Sequence, residues 1–307
     1  MKKISIIGAG RVGETTALLI AQQGLCREVA LLDVREGAAA GAALDIMQAA
    51  AYFGFDTQVT GGSDPALIAG SELVIVTAGS PRKPGMSRSD VLDINRGVID
   101  SIVGQVLEFT PDALLLIVTN PVDILTWHAW KGTGWDKGRV FGQAGVLDAA
   151  RMAHFIAMET GASIKDIHTM VIGGHGDSMV PLFRFSSVHG VSAASLLDPA
   201  ASARVSEQTR NGGGEVLALK KTSSAYNGPA AAVCTMVDAI CHDRKRVLSC
   251  VSVLEGEYRQ SEITAGVPVV LGRKGIEQVI ELPLNEEELA GFQGSIEIIR
   301  ADLVQDD

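Results

Sequence analysis

Six residues near the amino end constrain the fold most: Gly8-Ala9-Gly10-Arg11-Val12-Gly13. They follow a short apolar run, Ile4 to Ile7, and lead into a helical pattern from Val12 to Gln23. A strand that turns through glycines directly into a helix is the first half of a βαβ unit. The alternation then continues: strand Val29 to Leu32, helix Ala38 to Ala51, a weak strand at Val59, strand Leu73 to Val76, helix Leu92 to Phe109 and strand Leu114 to Val118. Runs that are apolar on both faces, with helices between them, predict a parallel sheet covered on both sides. Glycine is common in this chain (34 of 307 residues), so the motif's weight comes from its place between strand and helix.

The second half reads differently. A helix is predicted from Asp148 to Glu159, a strand from His168 to Ile172, and one helical stretch over 201–240 interrupted by Gly212 to Gly214. Two strands, Val247 to Leu254 and Ala265 to Leu271, read as antiparallel, and 285–303 as an amphipathic helix. A length of 307 residues suits two domains. The expected division is 1–144, a Rossmann-type doubly wound parallel sheet, and 145–307, a mixed α+β domain that holds the substrate.

The glycine motif points to a dinucleotide. Gly8 allows a tight turn, Gly10 lets the backbone approach a pyrophosphate, and Gly13 lets the helix lie against the strand. The helix start adds N–H groups and a positive dipole end. Asp33 closes the second strand twenty positions after Gly13. A carboxylate there accepts hydrogen bonds from a ribose diol and repels a 2′-phosphate, which favours NAD over NADP; Arg35 stands close by.

Other classes fit poorly. The formal net charge is -10, and the only tight basic run is Arg244-Lys245-Arg246, so neither nucleic acid nor an anionic membrane is an expected partner. Cys26, Cys234, Cys241 and Cys250 form no CxxC pair, so no metal site is expected, and small buried thiols in a reducing compartment are. No run reaches the ~20 apolar residues of a membrane span. The apolar stretch after Met1-Lys2-Lys3 is too short for a signal peptide, which leaves the cytoplasm as the expected location.

Among six histidines, His175 stands apart, because Gly173-Gly174-His175-Gly176-Asp177 lets backbone approach a ligand. Histidine is also the usual base near neutral pH. Asp148 and Arg151 share one helix face, a spacing that by itself fits a surface ion pair. Arg82 and Arg88 lie in a Pro- and Gly-containing segment after the fourth strand, and Asn120 follows the fifth. In open α/β sheets ligands bind beyond those strand ends. A solvated basic loop and a helix N-cap at Asn120 are the plainer readings.

Taken together, these pieces resemble the lactate and malate dehydrogenase family, in the family's order and over essentially the whole chain. The match includes Thr119-Asn120-Pro121, Gly145-Val146-Leu147-Asp148-Ala149-Ala150-Arg151, Leu254-Glu255-Gly256-Glu257-Tyr258 and Gly266-Val267-Pro268. It is most similar to the prokaryotic malate branch that is lactate-dehydrogenase-like. The resemblance implies reversible oxidation of (S)-malate to oxaloacetate with NAD. It makes His175 the proton acceptor and donor, with Asp148 holding its imidazole. Arg151 grips the carboxylate beside the reacting carbon, Arg88 polarises the carbonyl, and Asn120 bonds the reacting oxygen or orients the site. Gly8, Ala9, Gly10, Arg11, Val12, Gly13, Asp33, Asn95, Val118, Thr119 and Asn120 form the cofactor set. The Asn120-Pro121 bond is cis by analogy.

Arg82 carries the substrate assignment: in the family, Arg here accompanies malate and Gln accompanies lactate. One departure is Ser223, where malate enzymes often carry Gly. The alternatives are lactate dehydrogenase, an NAD-dependent glycosidase, which needs a Cys beside the site, and a non-catalytic NAD sensor. The expected partners are a small dicarboxylate substrate and further copies of the chain, as a homodimer or homotetramer.

Overall fold

Four of the five residues of the first strand, β1 (Lys3–Ile7), are buried, and β4 (Leu73–Val76) and β5 (Leu114–Ile117) are buried throughout. Such strands need cover on both faces. A computed structural model describes residues 1–80 and 88–304, without the side chains of residues 88, 89 and 304. In chain order the elements are β1, α1 (Arg11–Gln22), β2 (Glu28–Leu32), α2 (Ala38–Phe53), β3 (Gln58–Gly62), β4, α3 (Arg88–Phe109), β5, α4 (Val122–Thr133) and β6 (Val140–Gly142). There follow α5 (Gly145–Thr160), β7 (Ile167–His168), β8 (Val171–Ile172), β9 (Val180–Pro181), β10 (Ser187–Val188), β11 (Val191–Ser192), α6 (Ala193–Leu196) and α7 (Pro199–Lys220). The last elements are α8 (Asn227–Cys241), β12 (Arg246–Glu255), β13 (Ser261–Gly272), β14 (Gly275–Val279) and α9 (Glu286–Val304).

The first compact unit comprises Met1–Gln143, Tyr226–Arg246 and Leu271–Gln278. Its strands run β3-β2-β1-β4-β5-β6, and every pairing in that series is parallel. The order reverses between β1 and β4, which makes their carboxyl ends the expected place for a ligand. This is the doubly wound sheet that the alternating pattern predicts. α8 lies against α1 and buries Ala230, Val233, Met236, Val237 and Ile240.

The second unit comprises Ala144–Ala225, Val247–Val270 and Val279–Asp307. Its α5 faces α7, with Met152, Ile156, Val171, Met179 and Val205 in one apolar cluster. β12 and β13 are neighbours joined by the short connection Gly256–Gln260, so they run antiparallel. The division therefore differs from a single cut after residue 144, since 226–246 and 271–278 return to the first unit.

Three local readings need correction. The predicted helix over 201–240 is two helices, and Lys221, at φ 61°, leaves the helical region between them. The predicted strand from His168 to Ile172 is two short strands in different sheets. It breaks because the Thr169 hydroxyl donates to the Ala149 carbonyl and the Met170 N–H donates to Ser186 Oγ. β6, only three residues long, has too little pattern to be read from sequence.

Among the described residues, no helix is long and apolar enough to cross a membrane. All four cysteines are buried free thiols. Burial pushes Cys26 and Cys234 up to about 12 and Cys241 to about 11, and raises Cys250 as well. The fold thus holds these groups neutral while the unfolded chain ionises them near 9.0. The stability they contribute is complete below that pH and is lost as pH rises toward 11 to 12. Thermal melts at pH 8, 9.5 and 11 should show a progressive loss, and a thiol reagent at pH 8 should label the protein only after denaturation. Rapid labelling of native protein would contradict this burial.

Candidate active site

At the end of β1, Gly8 has φ +111°, and a Cβ there would meet the Ala78 backbone nitrogen at 2.5 Å. A Cβ on Gly13 would meet the Gly8 carbonyl oxygen at 1.9 Å. Only glycine allows this loop to lie so close to the segment after β4. Gly10, in contrast, has no atom within 4 Å of where its Cβ would be. That open side lies at the start of α1, whose first N–H groups have no partners within the helix. Space above Gly10 and unpartnered donors beside it suit a pyrophosphate, so the loop fits NAD. Arg11, the next residue, sets its guanidinium 5.5 Å from the centre of the Tyr226 ring. Val12 accepts a hydrogen bond from Thr16 through its carbonyl.

Asp33 is 9% exposed. Its Oδ2 accepts from the Ala9 N–H at 2.8 Å and from Arg35 Nη2 at 3.0 Å. Its Oδ1 accepts from the Arg35 N–H at 2.9 Å and Arg35 Nε at 3.0 Å. The Arg35 side chain, with the backbone donors of Arg35 and Ala9, holds the carboxyl below its ordinary range despite burial.

Asn95 is almost fully buried, at 1% exposure. Its Oδ1 accepts from the Ser80 N–H at 2.7 Å and its Nδ2 donates to the Asn120 carbonyl at 2.8 Å. One amide thus ties the segment after β4 to the segment after β5. The Thr119 hydroxyl donates to the Ala78 carbonyl at 2.7 Å, and Val118 is buried beneath it. Asn120 itself is exposed, precedes a cis bond to Pro121, and accepts from the Val122 N–H at 3.3 Å. Arg82 and the side chain of Arg88 lie outside the described residues; the backbone of Arg88 opens α3.

In the second unit Asp148 sits in the first turn of α5, where a helix favours negative charge. It is 1% exposed. One carboxylate oxygen meets His175 Nδ1 at 2.8 Å and the other meets Arg151 Nη1 at 3.1 Å. The sequence spacing alone fits a surface ion pair; the structure instead has a buried carboxylate joining a histidine and an arginine.

Several glycines and Ser295, the one among them that sequence reasoning passed over, hold this set in place. Gly173 and Gly266 exchange backbone hydrogen bonds at 2.8 and 3.0 Å, and the Gly174 N–H donates to Ser295 Oγ at 2.7 Å. The His175 loop is thereby fixed on both β13 and α9. Gly212 and Gly213 of α7 face Arg151: a Cβ on Gly213 would stand 3.2 Å from Nη2, and one on Gly212 3.4 Å from Cδ. The glycine cluster therefore makes room for an arginine. Ser295 carries no sequence signal, whereas adjacent glycines inside a helical pattern were a visible anomaly.

Known proteins give a consistent comparison. The family model described as lactate/malate dehydrogenase, NAD binding domain, matches residues 2–142. Its partner, described as the alpha/beta C-terminal domain, matches 145–306. A malate dehydrogenase of Thioalkalivibrio sulfidiphilus is 59% identical over 303 residues, which cover 99% of each chain. The apo structure of the malate dehydrogenase from Picrophilus torridus has a TM-score of 0.96 at 37% identity, covering 99% of this chain and 97% of that one. A lactate dehydrogenase of Cryptosporidium parvum, solved with lactic acid and NAD, reaches 0.95 at 36% identity, covering 99% and 97%. Both activities share this fold, so the fold alone does not choose the substrate.

Proposed function

We propose that this chain, which belongs to the lactate/malate dehydrogenase family and is an NAD-dependent oxidoreductase, interconverts (S)-malate and oxaloacetate. The observation that carries the chemistry is the buried Asp148 carboxylate joined at once to His175 and Arg151. Residues 1–144 supply the NAD-binding elements and 145–307 the substrate-binding ones, while 226–246 and 271–278 of the latter stretch pack within the first unit.

In the oxidative direction malate and NAD+ give oxaloacetate, NADH and a proton. Arg151 holds the carboxylate beside the reacting carbon, a task that suits a planar two-pronged donor. With His175 Nδ1 engaged by Asp148, Nε2 takes the hydroxyl proton, and Asp148 stabilises the imidazolium that results. Bound NAD, held by the glycine loop and Asp33, would supply the hydride acceptor for that carbon. Asn120 donates to the reacting oxygen, and Arg88 polarises the same oxygen as it becomes a carbonyl. Arg82 receives the second carboxylate. In the reductive direction His175 returns its proton to the new hydroxyl. The glycine loop from Gly8 to Gly13 and Asp33 hold the dinucleotide, and Asn95, Val118, Thr119 and Asn120 line its site.

NADH consumption with oxaloacetate against pyruvate tests the reading. Turnover should be fast with oxaloacetate and very slow with pyruvate; comparable rates would exclude a diacid enzyme and favour a lactate dehydrogenase.

The glycines beside Arg151 give a second test. Gly213→Ala should displace the guanidinium by a few tenths of an ångström and raise the KM for oxaloacetate by about tenfold. Gly214→Ala is the matched control, since no atom lies within 4 Å of its Cβ position. It should leave kinetics unchanged and stabilise α7 by about 0.5–1 kcal/mol, as alanine does over glycine in a helix. Equal kinetics in the two variants would remove Gly213 from any part in placing Arg151.

The working location is the cytoplasm and the working form a homodimer or homotetramer. Leu44, Phe53 and Tyr52 on α2, exposed by 61%, 46% and 94%, provide apolar surface for such an assembly.

A further inference from the structure

Within the first unit, the carboxylate that suits the ribose already has a ligand. An ionised carboxylate offers about four acceptor positions. Those of Asp33 receive the Ala9 N–H, the Arg35 N–H, Arg35 Nε and Arg35 Nη2. The two backbone donors are fixed by the turn. The two guanidinium donors are not: the Arg35 side chain is 65% exposed while that of Asp33 is 10% exposed. Arg35 Nη2 also reaches the Ala9 carbonyl at 3.2 Å, so the guanidinium closes over the glycine loop's first turn. A ribose diol can donate to Asp33 only by taking the positions that Nε and Nη2 hold.

From this competition we infer that Arg35 sets the cofactor preference: it weakens NAD binding and supports binding of a 2′-phosphorylated dinucleotide. The first half follows from displacement. An exposed ion pair is weak, so ribose can break it, but it subtracts about a factor of three to five from affinity. The second half follows from what the guanidinium does once displaced. It stays tethered two residues from Asp33, beside the ribose edge where a 2′-phosphate projects. A planar fork of N–H donors matches phosphate oxygens in pairs. It also shields the phosphate from the Asp33 charge, which otherwise repels it. Glu36, next along the chain, is exposed, and its opposing charge keeps this tolerance modest. Arg35 is thus a specificity-determining residue set against Asp33.

Equilibrium binding, followed by dinucleotide fluorescence without substrate, tests the assignment. Wild-type protein and Arg35→Gln are titrated with NADH and with NADPH. For the variant, the NADH Kd should fall about threefold and the NADPH Kd should rise about tenfold. The NADPH affinity of wild type should also drop steeply with added salt, and that of the variant much less. Unchanged Kd values for both dinucleotides would overturn the proposal, as would shifts of both in the same direction. Arg35→Lys covers a variant that fails to melt cooperatively. It keeps the charge but not the fork, so its NADPH Kd should lie between those of wild type and Arg35→Gln; a Kd equal to that of wild type would reduce the role to bare charge and overturn recognition by the guanidinium.

Discussion

His175→Ala will turn over oxaloacetate about 10²–10⁴ times more slowly than wild type while binding NADH with the same affinity. The loss falls on kcat because the missing group acts on the proton and not on the carboxylates. Asp148 keeps its Arg151 partner in the variant, so its buried charge is not left without a counterion. His175→Asn is the stricter form, because its amide can still donate to Asp148 while having no basic nitrogen to take up a proton. Both variants should melt cooperatively and quench NADH normally. Retention of more than a tenth of wild-type kcat in either would move the proton to another group. Loss of NADH binding would indicate a folding defect, and melting curves would reveal it.

Arg82→Gln should reverse the order of substrates. A second carboxylate in a closed site needs a second cation, and a cation left facing a methyl group is poorly solvated. Sites of this kind discriminate by about 10⁴ or more. The variant should therefore lose most oxaloacetate turnover and gain pyruvate turnover, with NADH affinity unchanged. The readout is the ratio of the two kcat/KM values in one preparation. If that ratio stays where wild type has it, the second carboxylate is bound elsewhere, and the dicarboxylate reading survives only with a different cation.

Much of the fold was legible because its cues are local. The β1 strand, the glycine turn and Asp33 belong to one βαβ unit, and each names its neighbour by spacing. Strands buried on both faces announced a parallel sheet. Local cues could not supply partners far apart along the chain, which in the sequence come only through the family resemblance. Asp148 and Arg151 read as a pair, but the third member, His175, is joined to them only by the way β8 and α5 meet. Asn95 enters the cofactor set through the family resemblance, and its amide also ties Ser80 to Asn120, a use with no periodic signature. The glycines of α7 register in the sequence only as an interruption of a helical stretch, and the side chain that Gly212 and Gly213 admit is Arg151. Helical periodicity also ran on across Lys221, because composition does not register a single residue with positive φ.

The way α8 returns to lie on α1 has a consequence for synthesis. A ribosome releases the chain from its amino end, and domains tend to fold as they emerge. Here the strands β1 to β6 are complete by Gly142, yet the helix that covers one side of α1 does not end until Cys241. For about a hundred residues of translation, roughly 5–20 s at ordinary elongation rates, the nascent sheet carries α1 without that cover. This interval exposes apolar surface to chaperones and to neighbouring nascent chains. The discontinuity of the first unit thus makes its maturation wait for the second to be largely synthesised, and it ties the yield of folded enzyme to the pace of elongation through that stretch.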